Sequence, residues 1–192
     1  MINGKAVLAV IPARGGSKRV PRKNLREFRG KPLLQWAWQE ARKSRYIDML
    51  VVSTDDAEIK EIASGYGAHV IDRPSELSTD TASSEDCLRH ALTVFSLDWI
   101  VLLQPTSPLR VVADVDACIE RAQMGNGCIS VNSRGDTNGA VYVATAEWLA
   151  EHDFNHLGLM KYRMPDERSL DIDTEADFFD QAYEDMLFSS VQ

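Results

Sequence analysis

Two small groups of residues in this chain have the types and spacing to do chemistry. The first is the loop within VLAVIPARGGSKRVPRKN, residues 7–24. It holds two glycines, two prolines and five cations: Arg14, Lys18, Arg19, Arg22 and Lys23. Without a Cβ, Gly15 and Gly16 let backbone N–H groups come close to a ligand, and the cations can neutralise phosphate. The loop follows an apolar run that reads as a buried strand. The carboxyl end of such a strand is where open α/β sheets hold ligands. The implied ligand is a nucleoside triphosphate. The loop matches neither G-x-x-x-x-G-K-[ST] nor G-x-G-x-x-G, so it is neither a Walker A loop nor a dinucleotide fingerprint.

The second group is LDID, residues 170–173. Asp171 and Asp173 are two apart, so on extended backbone both carboxylates leave one face. Two hard oxygen donors side by side suit Mg²⁺, with water and phosphate completing its shell. Asp173 or Thr174 can also cap a following helix, with Asp177 answering Thr174. A cap explains Thr174 but not the apolar-flanked Asp171.

Other segments carry weaker signals. LLQPTSPLR (102–110) is a proline-stiffened loop in which Gln104 can donate and accept hydrogen bonds to a polyhydroxyl ligand. Arg73, before Pro74, is a surface cation or a ligand contact. VSTDD (52–56) reads as a strand end and helix cap rather than a second metal site. His152 and His156 stand four apart, with no third metal ligand evident nearby. Cys87, Cys118 and Cys128 form no C-x-x-C pair and read as reduced thiols.

The elements that must position these groups alternate along the chain. Strands are expected at 6–13, 48–56, 68–74, 98–105, 127–132 and 139–145, with a brief one at KYRMP (161–165). Helices are expected after Pro32, at DAEIKEIASGYG, at CLRHALTVF, over 111–124, at AEWLAEH and in EADFFDQAYEDMLF at the end. Such alternation implies βαβ units, a mainly parallel sheet and helices on both faces. The chain of 192 residues, with 44% hydrophobic and 26% charged residues, reads as one globular domain over 1–192. Its 21 basic and 29 acidic residues leave a net charge of −8, which argues against general nucleic-acid binding. No apolar run approaches membrane-spanning length, and Met1–Lys5 lacks a signal-peptide design. The expectation is a soluble cytoplasmic protein with no membrane partner.

Six segments in order, IPARGGSKRVPRKN, VVSTDD, RPSELSTDTASSED, LLQPTSPLR, NGAVY and SLDIDT, resemble the acylneuraminate cytidylyltransferases. That family includes CMP-sialic acid synthetase and relatives for Kdo-like and legionaminic-type sugars. The resemblance runs from residue 7 to about the last helix. It implies a three-layer, Rossmann-like α/β nucleotidyltransferase fold with a mainly parallel sheet. It also implies a reaction of CTP with an acidic nine-carbon or Kdo-like sugar, giving a CMP-sugar and pyrophosphate with Mg²⁺. By the same resemblance Arg14 and Lys23 stabilise the triphosphate, and Asp171 and Asp173 hold the metal. Ala13, Gly15, Ser17, Asn24, Arg73 and Ser84 fall at nucleotide positions. Gln104, Asn138, Tyr142 and Phe154 fall at sugar positions.

One departure stands out. The family's long segment before NGAxY carries a dimerisation arm and basic residues for the sugar carboxylate. Here SRGDT (133–137) alone joins Asn132 to Asn138. The resemblance implies a homodimer, and the lost arm implies a weak dimer or a monomer. Three other readings stay open: a different acceptor or nucleotide, a nucleotide-binding protein whose chemistry is lost, or a deletion of the missing segment that leaves a stable but inactive core.

Overall fold

The computed structural model describes residues 1–179. The expected alternation is present. β1 (Val7–Pro12) is buried on both sides, as its unbroken apolar run requires. It pairs in parallel with β4 (Met49–Thr54) and β6 (Trp99–Leu102), and β4 pairs in parallel with β5 (His69–Asp72). β8 (Thr137–Thr145) runs antiparallel to both β6 and β7 (Gly127–Val131), and β7 pairs in parallel with β9 (Met160–Arg163). The order is β5-β4-β1-β6-β8-β7-β9. The sheet is therefore mainly parallel, with β8 reversed. Only residues 132–136 connect β7 to β8, a link too short for the crossover that parallel neighbours need.

Helices lie on both faces. α1 (Leu33–Ala41), α2 (Ala57–Gly65) and α4 (Val112–Ala122) pack on the face carrying Val7, Ala9 and Ile11. α3 (Ser84–Val94) and α5 (Ala146–Glu151) pack on the face carrying Leu8 and Val10. The period-2 alternation of β1 thus feeds two cores. The caps follow sequence: Asp56 accepts from the Ile59 N–H at 2.9 Å, and Ser83 with Asp86 closes a capping box. Pro32 precedes the first turn of α1, as expected.

A third, smaller core explains how distant segments meet. Val20, Phe28, Leu33, Ile172 and Phe178 form one buried cluster. Phe28 comes from a two-strand hairpin, β2 (Glu27–Phe28) and β3 (Lys31–Pro32), too short to be read from the sequence. Val20 and Ile172 are fully buried. Burial of side chains of this size contributes about 1.5–3 kcal/mol each. Val20 lies within the basic loop and Ile172 between the two aspartates, so this cluster holds the front of the chain against residues near its end. Residues 175–179 are helical. The remainder of the expected final helix lies outside the described residues.

Candidate active site

Beyond the carboxyl ends of β1, β5 and β6 lies a cleft of ≈ 660 Å³. Four of the five loop cations line it: Arg14, Lys18, Arg19 and Lys23. The fifth faces away. Arg22 has φ 55, a left-handed backbone, and its guanidinium pairs with Asp56 at 2.5 Å and with Glu58. It fastens the loop to the start of α2. The Arg22 contact also holds the Asp56 carboxyl below its usual range. The Gly15 N–H adds a second tie, donating to Asp55 Oδ1 at 3.0 Å. The segment VSTDD therefore caps a helix, as expected, and braces the basic loop as well.

Gly15 is required by this brace. A Cβ added there would sit 2.5 Å from Asp56 Oδ2 and 2.8 Å from Asp56 Cβ. Overpacking of this kind costs about 1–3 kcal/mol. Gly15→Ala is expected to lower unfolding stability by that amount in urea titrations. An unchanged denaturation midpoint would show that the brace yields freely.

Across the cleft stand Asp171 and Asp173. Lys23 Nζ donates to Ile172 O at 2.9 Å and to Asp173 Oδ1 at 3.0 Å. Arg19 Nη1 donates to Asp173 Oδ2 at 3.0 Å. Burial opposes ionisation of Asp173, but Lys23 and Arg19 outweigh it and hold its carboxyl below the usual value. Asp171 is the reverse case. It is exposed to the cleft, but the protein around it displaces part of its water, and that desolvation pushes its carboxyl up, with the Asp173 charge adding to the rise. The helix cap falls to Asp177, which accepts from the Asp173 and Thr174 N–H groups at 2.7 and 2.6 Å. Asp173 is thereby left to face the cations.

Among the described residues no group of three His, Cys, Asp or Glu side chains is gathered as a metal cage. Two adjacent carboxylates open to one cleft suit a hard divalent cation that keeps waters and takes phosphate oxygens. The His152 and His156 rings, 4.5 Å apart, pack against Trp148. Cys87, Cys118 and Cys128 are free and buried.

The remaining expected residues divide in two. Ser17, Asn24, Arg73, Ser84 and Gln104 line the cleft. Asn24 Nδ2 donates to Arg14 O at 2.9 Å. Arg73 is buried, donates to Ser53 O at 2.6 Å, and has its pKa lowered by desolvation. Ala13, Gly15, Asn138, Tyr142 and Phe154 do not line it. Ala13 extends the sheet, donating its N–H to Ser53 O at 2.9 Å. Asn138 spends its amide on Ser130 Oγ at 2.6 Å and Ser169 Oγ at 3.0 Å, so it props the segment leading to Asp171. Tyr142 and Phe154 pack ring to ring at 5.1 Å, and burial pushes the tyrosine up to about 12.

Three further residues escaped sequence reasoning. Asp80 reaches into the cleft from the loop that precedes α3. Arg110 is fully buried and donates to Gln104 O and Ala140 O, tying the proline-rich loop to β8. Gly139, with φ 71, lies directly beneath Gln104 and Asp171. An arginine closing the PTSPLR run was a signal of sorts, but its partners are carbonyls, which a sequence does not display.

A family profile described as Cytidylyltransferase matches residues 8–180. The chain belongs to the cytidylyltransferase family. An N-acylneuraminate cytidylyltransferase of Escherichia coli O18:K1:H7 is 42% identical over 105 residues, which cover 54% of this chain and 25% of that protein. A CMP-N,N'-diacetyllegionaminic acid synthase of Legionella pneumophila is 31% identical over 215 residues, covering 90% of this chain and 93% of that protein. The chain spans about half or less of the first curated relatives it matches. Among solved structures, a CMP:2-keto-3-deoxy-manno-octonic acid synthetase complexed with CTP superposes with a TM-score of 0.74 at 18% identity. That match covers 95% of this chain and 99% of the other, and it extends the family likeness to the fold. The expected three-layer nucleotidyltransferase architecture is the one observed. No helix among the described residues is long and apolar enough to cross a membrane.

Proposed function

We propose that this member of the cytidylyltransferase family transfers CMP from CTP to the anomeric hydroxyl of an acidic α-keto sugar, releasing pyrophosphate. The observation that carries the reading is the meeting of Lys23 and Asp173 across one cleft at 3.0 Å. The cations at the front of the chain and the carboxylates near its end can then act on one triphosphate. The relatives whose names specify N-acylneuraminate and legionaminic acid support the choice of an acidic sugar.

The residues' own parts follow from charge. Arg14, Lys18 and Lys23 oppose the negative charge that grows on the leaving pyrophosphate as the bond from the α-phosphorus breaks. Gln104 and Ser84, joined at 3.5 Å, offer donors and acceptors to hydroxyls near that phosphorus. Asp171 and Asp173 are the residues that would hold Mg²⁺, which when bound supplies further charge neutralisation and orients phosphate. The rest is positioning, which in phosphate chemistry accounts for much of the rate.

Incubation with CTP, Mg²⁺ and a panel of ulosonic acids tests the reading, with pyrophosphate as readout. Release with at least one acceptor is expected. No release with any, from folded protein that binds CTP, would overturn it. The tight β7–β8 turn, closed by the Asn132 N–H donating to Asp136 O at 2.9 Å, favours a smaller acceptor as the second reading. A matrix of nucleotides against acceptors separates the two. Asp173→Asn is expected to weaken divalent-ion affinity on the order of tenfold, raising the Mg²⁺ needed for turnover, because one of two carboxylate charges is lost. Unaltered Mg²⁺ demand in a titration would remove Asp173 from the metal site.

A further inference from the structure

Arg14 and Lys18 meet one carboxylate that the proposed reaction does not use. Asp80 Oδ1 lies 2.9 Å from Arg14 Nη2, and Asp80 Oδ2 lies 2.5 Å from Lys18 Nζ. The neighbouring Thr79 carbonyl accepts from Arg14 Nη1 at 2.7 Å. All four groups border the cleft. A single anion placing one oxygen on an arginine and the other on a lysine is the arrangement a phosphate adopts on the same pair. Phosphate and Asp80 therefore compete for the same donors.

From this we propose that Asp80 is a displaceable counter-charge of the phosphate site, pushed off Arg14 and Lys18 by the entering phosphates and returning to help expel pyrophosphate. The inference rests on the nucleotidyl-transfer reading and adds to it a residue that governs binding and release of the leaving group.

Three features fit a part that must move. Asp80 sits between the short 3-10 turn Ser75–Leu77 and α3, in a loop whose other ties are local. The Ala82 N–H donates to Thr79 Oγ1 at 3.2 Å, and Ser78 Oγ donates to Pro74 O at 3.3 Å. The capping box at Ser83 holds α3 independently of those ties. The pairing is also weak enough to displace: the Lys18 side chain is 83% exposed and that of Asp80 37%. Exposed ion pairs are screened, so release from them alters an affinity by about three- to tenfold, not by orders of magnitude. Asp173 likewise covers Lys23 and Arg19, but it stands beside Asp171 and shares that pair's capacity for a divalent cation. Asp80, on a separate loop, has only the cations.

The test is binding of inorganic pyrophosphate, CTP and cytidine by calorimetry to the wild-type chain, Asp80→Asn and Asp80→Ala. Both variants are expected to bind pyrophosphate and CTP about three- to tenfold more tightly, with cytidine unchanged. Inhibition by product pyrophosphate should strengthen by the same factor. In a Lys18→Ala background the gain from Asp80→Asn should shrink. Equal or weaker pyrophosphate binding in both variants, while the wild type binds CTP, overturns the role of Asp80 alone. Failure of the folded wild type to bind CTP or pyrophosphate overturns the nucleotidyl-transfer reading as well. An equal gain for cytidine would make the effect a general opening of the loop and would also overturn the proposal.

Discussion

Lys23→Ala is expected to lower turnover by about 10²-fold or more, equivalent to about 2.7 kcal/mol of transition-state stabilisation. Lys23 is largely buried, with 15% of its side chain exposed, so its charge acts where water screens little. Its ammonium is held by Ile172 O and Asp173 Oδ1, which aims it at the cleft instead of letting it sample solvent. Removing the side chain thus takes away a preorganised cation and loosens the segment bearing the carboxylates. The two effects are separable. A positioning loss alone would raise the demand for Mg²⁺ and leave the rate at saturating Mg²⁺ near normal. A lost cation lowers that rate whatever the Mg²⁺ concentration, and added methylamine should restore part of it. Steady-state pyrophosphate release across a Mg²⁺ series reads both. A near-normal saturated rate would reduce Lys23 to an anchor of residues 172–173.

That Lys23 can be singled out at all shows what the sequence displays and what it withholds. Five cations crowd one loop, and nothing local tells Arg22 from Lys23. The division comes from the backbone at Arg22 and from Asp56 and Glu58, which lie on another element. The LDID spacing was legible, because Ile172 must turn one way and both aspartates the other. Its alliance with the basic loop was not, because it depends on the Val20–Ile172 cluster, whose members are 152 positions apart in number. Strands β1, β4, β6 and β7 announced themselves by buried β-branched runs. The reversal of β8 is a property of the short link before it, and the two-residue strands of the hairpin carry no period to read. Asn138, Tyr142 and Phe154 matched site positions by type and order. Their side chains are engaged with Ser130, Ser169 and one another, partners that only the packed sheet brings near.

Gly139→Ala is expected to lower turnover by about 10²-fold with the fold retained. Gly139 has φ 71, and a Cβ there would lie 2.8 Å from Gln104 Oε1 and 3.1 Å from Asp171 Oδ2. The crowding falls on two side chains of the cleft wall, not on the hydrophobic cores, so the side chains shift and the sheet survives. A displacement of about 1 Å at a reacting centre can cost about 10²-fold in rate. Backbone strain from a left-handed alanine, about 1–2 kcal/mol, must be set apart from this crowding. Gly135→Ala supplies the control: φ there is 91, and an added Cβ meets nothing within 4 Å. Both variants should lose similar thermal stability, and only Gly139→Ala should lose activity. Kinetics as a function of acceptor and of Mg²⁺ then show which neighbour matters. A raised KM for the sugar points to Gln104, and a raised Mg²⁺ demand points to Asp171. Both changes together mean that the two side chains, one from the loop after β6 and one from the segment after β9, form a single wall sensitive to one methyl group. Turnover of Gly139→Ala equal to that of Gly135→Ala would mean that neither is held closely enough for its position to matter.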